Sequence, residues 1–264
     1  MTVNFILIDG SYFIFYRYFA IKQWFKFSHP DEKLDVPIEN DDFIQKFKET
    51  FQHKMNEIGK KLKISNPQIL VGKDCKRSDI WRNEFISEYK NNRKTDKYVG
   101  SFFELTYKEK LFFGGGAKHI LSGDKLEADD CIAITTTHIL KTQPNAKIWI
   151  ITSDMDYLQL ACENVKLINL KYKNLTDSKT SFNNPYKDLF CKIVMGDKSD
   201  NIPSVFKKCG IVTASKYYED RDKFNKKLDN KNASDLFKRN RMLIDFNYIP
   251  TNLKDAFSIK YGFI

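Results

Sequence analysis

The chain has 264 residues, 42% hydrophobic and 14% aromatic, enough for one large α/β domain or one domain with an appended subdomain. Lys and Arg number 44 against 34 Asp and Glu, a net charge of +10 that suits nucleic acid, an anionic membrane or another acidic partner. No apolar run reaches the ~20 residues of a membrane span, the N-terminal VNFILI is strand-like rather than a signal peptide, and five scattered cysteines without a C-x-x-C argue against a disulfide framework or a zinc site; the chain reads as soluble and intracellular, with no membrane partner.

Residues 3–8 form a continuous apolar run typical of a buried parallel strand. Helix-like sequence follows from Ser11 to about Phe27, and two prolines with many charges make 28–42 a surface loop. Helical spacing returns over 43–63, and QILVG (68–72) is a second strand. Residues 79–93 read as an amphipathic helix rich in Arg, Lys and aromatics; 94–116 is less regular and ends in Gly114-Gly115-Gly116. AKHIL (117–121) is a third strand, EADDCIAITTTHIL a helix with its acids in the first turn, and KIWIIT (147–152) and VKLINL (165–170) are strands flanking a short helix. From Asn184 to about Phe246 the pattern is helical with basic turns. Strands alternating with helices imply an α/β fold, with a mostly parallel sheet covered on both faces.

Ligands on such sheets collect at the carboxyl ends of the strands. Nine carboxylates in five clusters fall at or near such ends: Asp9; Asp74; Glu127, Asp129 and Asp130; Asp154 and Asp156; Asp197 and Asp200. Singly, each has an ordinary explanation. Asp9 can cap the helix near Ser11, the 127–130 acids are favourable in a first helical turn, and Asp154 suits a turn. Jointly, a nest of carboxylates repels itself unless cations fill it. Mg²⁺ takes a few carboxylates plus waters, and two such ions can activate a water and stabilise the leaving oxygen of a phosphodiester.

Two further stretches carry cations. In WRNEFISEYKNNRK, Arg82, Lys90 and Arg93 read either as a solvated basic helix or as a phosphate clamp beside the metals. In GDKSDNIPSVFKKCGIVTAS, a Pro turn, Lys207, Lys208, Gly210 and a helix start at Thr213 read either as an ordinary helical hairpin or as a seat for backbone phosphate.

LIDGSYFIFYRYFA, EYKNNR, LEADDCIA, IITSDMDYLQL and MGDKSDNIPSV, in this order, resemble the 5′-nuclease or flap endonuclease family. The likeness extends to bacteriophage-type 5′–3′ exonucleases, phage RNase H among them, and to the 5′-nuclease domains of bacterial DNA polymerases. The resemblance implies a Rossmann-like, PIN-like sheet as a nuclease core over 1–184, a helical arch at about 79–116, and a DNA-binding region over 185–264 with a helix–three-turn–helix at about 186–220. It implies one Mg²⁺ group of Asp9, Asp74, Glu127 and Asp129 joined by Asp130, and a second of Asp154, Asp156, Asp197 and Asp200, with Mn²⁺ as a substitute. Lys90 and Arg93 match arch-base cations at the scissile phosphate. Arg82, Lys207, Lys208, Gly210 and Thr213 are the expected DNA contacts.

The expected substrate is 5′-flap, nicked or junction DNA, or an RNA·DNA hybrid, handled by a monomer. The family's hairpin often holds K⁺ in a glycine-rich turn; here Ser204 to Cys209 replace those glycines and only Gly210 remains, so the turn takes another shape. Three rivals are weaker. A PIN-type RNase lacks the hairpin after Asp200. A haloacid dehalogenase-type phosphatase needs an Asp where Ser11 stands. A catalytically inert DNA-structure-binding protein is expected to have lost several of these acids.

Overall fold

A computed structural model describes residues 3–93 and 96–263. Strand β1 (Asn4–Asp9) leads directly into helix α1 (Gly10–Ser28), and α2 (Asp41–Lys61) returns the chain to β2 (Gln68–Gly72). After α3 (Val99–Lys108) and the single turn α4 (Leu111–Gly114) come β3 (His119–Leu121), α5 (Ala128–Thr142), β4 (Lys147–Ile151) and β5 (Val165–Ile168). The helices α6 (Pro185–Met195), α7 (Ile211–Glu219), α8 (Arg221–Asn230), α9 (Ser234–Ile244) and α10 (Thr251–Tyr261) complete it.

The five strands are all parallel, in the order β3-β2-β1-β4-β5. Alternation along β1 divides the core. Ile6 and Ile8 pack with α1 to α4, whereas Phe5 and Leu7 face the layer that contains Ile132 and Ile139 of α5. The order places β1 centrally, so the ends of β1, β2 and β4 open onto one cleft. A third cluster, including Phe190, Val194, Val205, Phe206, Ala214, Tyr217 and Phe224, holds α6 to α9 together.

The helix expected over 79–93 does not form. Two 3-10 turns, Arg77–Asp79 and Trp81–Glu84, are followed by irregular chain, and Lys90 adopts a left-handed φ of 58° that an α-helix excludes. The expected arch is correspondingly not a free-standing helical span among the described residues: α3 buries Val99, Phe102 and Thr106, packing on α1.

The hairpin is present with its own geometry. Asp197 and Ile202 exchange backbone hydrogen bonds of 2.8 and 2.7 Å around a tight loop. Gly196 (φ 68°) is required there, since a Cβ would lie 2.4 Å from the Ile202 carbonyl oxygen. The Val205 amide bonds the Val194 carbonyl at 2.9 Å, and Val205 and Phe206 are buried where a glycine-rich turn would present bare backbone. Helix α7 starts at Ile211, two residues before Thr213. Among the described residues no helix is long and apolar enough to cross a membrane.

Candidate metal centre and nucleic-acid cleft

Asp9 ends β1 and caps α1, accepting the Tyr12 amide at 3.0 Å, while Tyr157 Oη approaches its other oxygen at 3.3 Å. Structural cap and site acid are therefore the same residue. Asp74, just past β2, accepts from the Ala128 amide at 2.8 Å and from the Ser11 hydroxyl, tying the starts of α1 and α5 together. Glu127 caps α5, and Asp130 bonds back to the Glu127 amide at 3.1 Å in a capping box. Asp154 follows β4, capping the 3-10 turn Met155–Leu160 through the Asp156 amide at 2.9 Å.

These placements bring Asp9, Asp74, Glu127, Asp129 and Asp154 into one cleft, lined also by Lys90, Arg93, Ser11, Tyr12 and Phe15. Asp154 thus faces the first acid group rather than only its expected partners. Oxygens of Glu127, Asp129 and Asp130 lie within 4.8 Å of one another, as do those of Asp156, Asp197 and Asp200. Burial, with Asp74 nearby, pushes the Asp9 carboxyl up to about 6. Burial and the neighbouring acids Asp130 and Glu127 hold Asp129 well above the ordinary carboxylate range. Asp156 is pushed up to about 7 by burial and by Asp154. Crowded, all-oxygen donors fit a hard divalent cation, whose charge would favour the ionised forms of Asp9, Asp129 and Asp156.

The cations sit in two places. Lys90 Nζ is ion-paired to Glu127 and lies 3.7 Å from Asp200, which also pairs with Arg93. Tyr89 Oη donates to Glu127 at 3.1 Å. Burial opposes the Lys90 ammonium, but Glu127 and its neighbours outweigh it and hold the pKa well above the usual lysine value. Lys192 of α6 bridges Asp156 at 2.6 Å and Asp197 at 2.5 Å. Burial works against the Asp197 carboxylate, but Lys192 and Ser199 prevail and draw its pKa down to about 2.

Arg82 is not placed to meet DNA. It is 2% exposed, and all three guanidinium nitrogens are engaged: Nε donates to the Leu243 carbonyl at 2.7 Å, Nη1 to Glu127 at 2.9 Å and Asp130 at 2.8 Å, Nη2 to Asp130 at 2.7 Å. Asp130 is fully buried, and its oxygens are taken by Arg82, Trp81 Nε1 and the Glu127 amide, which sets it behind the cleft. Lys207, Lys208 and Gly210 are exposed beside the first turn of α7, where Thr213 is half-buried.

Lys192, Ser11, Tyr89 and Tyr157 carry no site signal strong enough to stand out in the sequence. A lysine one helical turn before Gly196 on the hairpin's first helix is the available signal for Lys192.

A model of the 5′–3′ exonuclease N-terminal resolvase-like domain matches residues 4–187. The chain belongs to the 5′–3′ exonuclease family. Ribonuclease H of Enterobacteria phage T4 is 31% identical over 210 residues, covering 70% of this chain and 67% of that protein. A 5′–3′ exonuclease of Mycoplasmopsis pulmonis is 28% identical over 212 residues, covering 76% of this chain and 62% of its own. This chain spans about two-thirds of such relatives. Among solved structures, a bacteriophage T5 protein co-crystallised with metal ions superposes with a TM-score of 0.67 at 19% identity, covering 97% of each chain. A complex of the phage T5 flap endonuclease with DNA and metal ions gives 0.66 at 18% identity, again covering 97% of each chain. At these identities the likeness is one of fold, including the helical C-terminal region beyond residue 187.

Proposed function

We propose that this family member is a Mg²⁺-dependent, structure-specific 5′-nuclease. It hydrolyses DNA phosphodiesters at single-strand/double-strand junctions as a 5′–3′ exonuclease, a flap endonuclease or both, in replication or repair. The observation that carries the reading is the convergence of Asp9, Asp74, Glu127, Asp129 and Asp154 with Lys90 and Arg93 in one cleft at the strand ends. Bound divalent ions would activate water and offset charge on the leaving oxygen. Asp9, Asp74, Glu127, Asp129 and Asp154 would hold one group of ions, and Asp156, Asp197 and Asp200 a second, with Mn²⁺ able to replace Mg²⁺. Asp130 supports the first group through Arg82 and the start of α5.

The chain's own residues then have distinct tasks. Lys90 and Arg93, aimed into the cleft by their carboxylate partners, meet the scissile phosphate there, and Lys90 offsets its growing charge. Ser11 fixes Asp74 and Tyr157 fixes Asp9, so neither carboxylate needs to reorient. Residues 1–184 form the nuclease core. Residues 185–264 hold the duplex, with Lys207, Lys208, Gly210 and Thr213 gripping backbone phosphates without reading sequence. K⁺ at the hairpin turn belongs to the same proposal; duplex affinity in KCl compared with NaCl tests it. The chain acts as a monomer.

The decisive experiment is a buffered assay on a 5′-flap duplex. Cleavage with Mg²⁺ or Mn²⁺, lost in Asp154→Asn while DNA binding persists, is expected; a wild-type chain inert with both ions refutes the reading. The name of the phage T4 relative, Ribonuclease H, favours a second substrate, the RNA·DNA hybrid. Matched RNA and DNA 5′ strands on one template discriminate the two.

A further inference from the structure

The core beside α1 is filled largely by plain hydrocarbon rings: Phe13, Phe51, Phe102 and Phe112 are fully buried there. Tyr107 of α3 packs against them, its ring centroid 5.7 Å from that of Phe112, and Lys73 Nζ covers the ring at 4.2 Å from its centroid. A phenylalanine would fill the same place in the packing. Tyr107 Oη is nevertheless carried inward, where it is buried and has no hydrogen-bond partner among the described residues. A buried hydroxyl left unpaired costs free energy, and native chains pair most of them with protein groups or ordered water. The oxygen therefore calls for a partner beyond the hydrogen bonds of the metal-free chain.

Its surroundings say which. Gly10 stands between Asp9 and Ser11, and a Cβ at Gly10 would lie 3.1 Å from Tyr107 Oη and 2.5 Å from the Gly72 carbonyl oxygen. Glycine there lets the phenol reach the start of α1. Asp9 is in register with Gly72, so the oxygen sits at the seam where β1 and β2 deliver their acids, Asp9 at the end of one strand and Asp74 just past the other. The Ser11 hydroxyl donates to Asp74, and Asp9 accepts from the Tyr12 amide and from Tyr157. Tyr107 brings a further hydroxyl to the same two acids. Burial, with Asp74 and Asp9 nearby, pushes the phenol above its ordinary range, so it stays a neutral donor. A neutral donor beside two carboxylates, yet bonded to neither, suits the water that a small divalent cation retains when carboxylates bind it.

We propose that Tyr107 is a positioning residue of the metal centre: its hydroxyl holds the hydration shell of the ion bound by Asp9 and Asp74. The proposal rests on the nuclease reading and adds one residue of α3 to its metal site. Outer-shell groups of this kind orient what the ligands bind and raise metal affinity, without touching the substrate. The hydroxyl gains its hydrogen bond when the ion and its water arrive, so the group that burdens the metal-free chain stabilises the loaded one.

The test removes the hydroxyl alone. In Tyr107→Phe, calorimetric titration should show Mn²⁺ bound about tenfold more weakly, the low end for losing an outer-shell partner. The Mg²⁺ concentration for half-maximal cleavage of a 5′-flap duplex should rise by a similar factor, while the rate at saturating Mg²⁺ returns close to that of the unaltered chain. Without metal the effect has the other sign: in EDTA the melting temperature should hold or rise, because an unpaired buried hydroxyl has gone. Unchanged Mn²⁺ affinity overturns the proposal. A lower melting temperature in EDTA overturns it too and assigns the hydroxyl a structural bond, and a rate that stays low at saturating Mg²⁺ overturns it by placing the hydroxyl on the substrate. If the unaltered chain binds no Mn²⁺ and cuts nothing, the nuclease reading itself fails, and the proposal with it; Mn²⁺ binding and cleavage that do not respond to Tyr107→Phe defeat the proposal alone.

Discussion

Arg82 and Asp130 form a fork-to-fork ion pair, 2.8 and 2.7 Å, with both side chains almost wholly excluded from solvent. The same guanidinium reaches Glu127 at 2.9 Å and the Leu243 carbonyl at 2.7 Å. One side chain thus links the chain before Lys90, the first turn of α5 and the last turn of α9. Its rigid planar donors suit this task better than a lysine's single ammonium.

Removing the guanidinium leaves Asp130 a buried acid without its main partner and takes one of the cations from Glu127. Arg82→Ala should lower the stability of the metal-free chain by about 3–5 kcal/mol. Arg82→Lys should recover only part of that loss, since it cannot span both acids and the carbonyl. Urea unfolding followed by circular dichroism measures both. A loss under ~1 kcal/mol, the range of a surface pair, would contradict the assigned role.

Most of the architecture is readable in the sequence, because a buried parallel strand has a local signature. Residues 5–8, 69–71 and 148–151 announce themselves by continuous apolar runs, and the acids sit just past their ends. The segment 79–93 misleads because its partners are remote. Its helix-like spacing gives way to pairing of Arg82 with Glu127, Asp130 and the Leu243 carbonyl, and of Arg93 with Asp200, 45 to 161 residues away along the chain. Lys90 then needs a left-handed backbone to bring its ammonium to Glu127. Lys192 is hidden for the same reason: which helical face meets Asp156 depends on how α6 docks, and a single sequence does not encode that in local periodicity.

The acid cage also sets a pH dependence. Folding raises the Asp9 carboxyl to about 6 and Asp156 to about 7, both from an unfolded value of 3.8. Between those limits the folded chain binds more protons than the unfolded chain, so its stability falls as pH rises. Asp197 works in the opposite sense: drawn down to about 2, it contributes stability above pH 3.8 that disappears as pH falls towards 2. Metal-free protein should therefore melt at a higher temperature at pH 5 than at pH 8. Adding Mg²⁺ should stabilise it more at pH 8 than at pH 5, because the ion needs the deprotonated acids. Calorimetric scans at the two pH values, with EDTA or Mg²⁺, test the sign; equal melting temperatures in EDTA would contradict it.

Lys207 and Lys208 stand exposed next to the start of α7, and their proposed task is to neutralise duplex phosphates. Replacing both with Ala should weaken binding on every duplex sequence alike. The slope of log K against log salt should fall in magnitude by about 2, near one for each phosphate no longer neutralised. Fluorescence anisotropy at several KCl concentrations gives the slope directly. An unchanged slope would move the duplex to another face of the hairpin.

Lys90 presents the sharpest separation between binding and chemistry. Its ammonium is buried against Glu127 and close to Asp200, and its charge is held by those acids at every pH in ordinary use. On the proposed reading that charge is already oriented towards the cleft before the substrate arrives, so its removal strikes the charge-developing step. Lys90→Ala should reduce the single-turnover cleavage rate by about 10²–10³-fold, the range for losing one preorganised charge-stabilising group, while affinity for a 5′-flap duplex changes only a few-fold. Lys90→Met, which keeps the apolar stem but not the charge, should behave like Ala. If affinity falls as steeply as the rate, or if Met restores the rate, Lys90 acts by steering the substrate or by packing instead of by offsetting charge at the scissile phosphate.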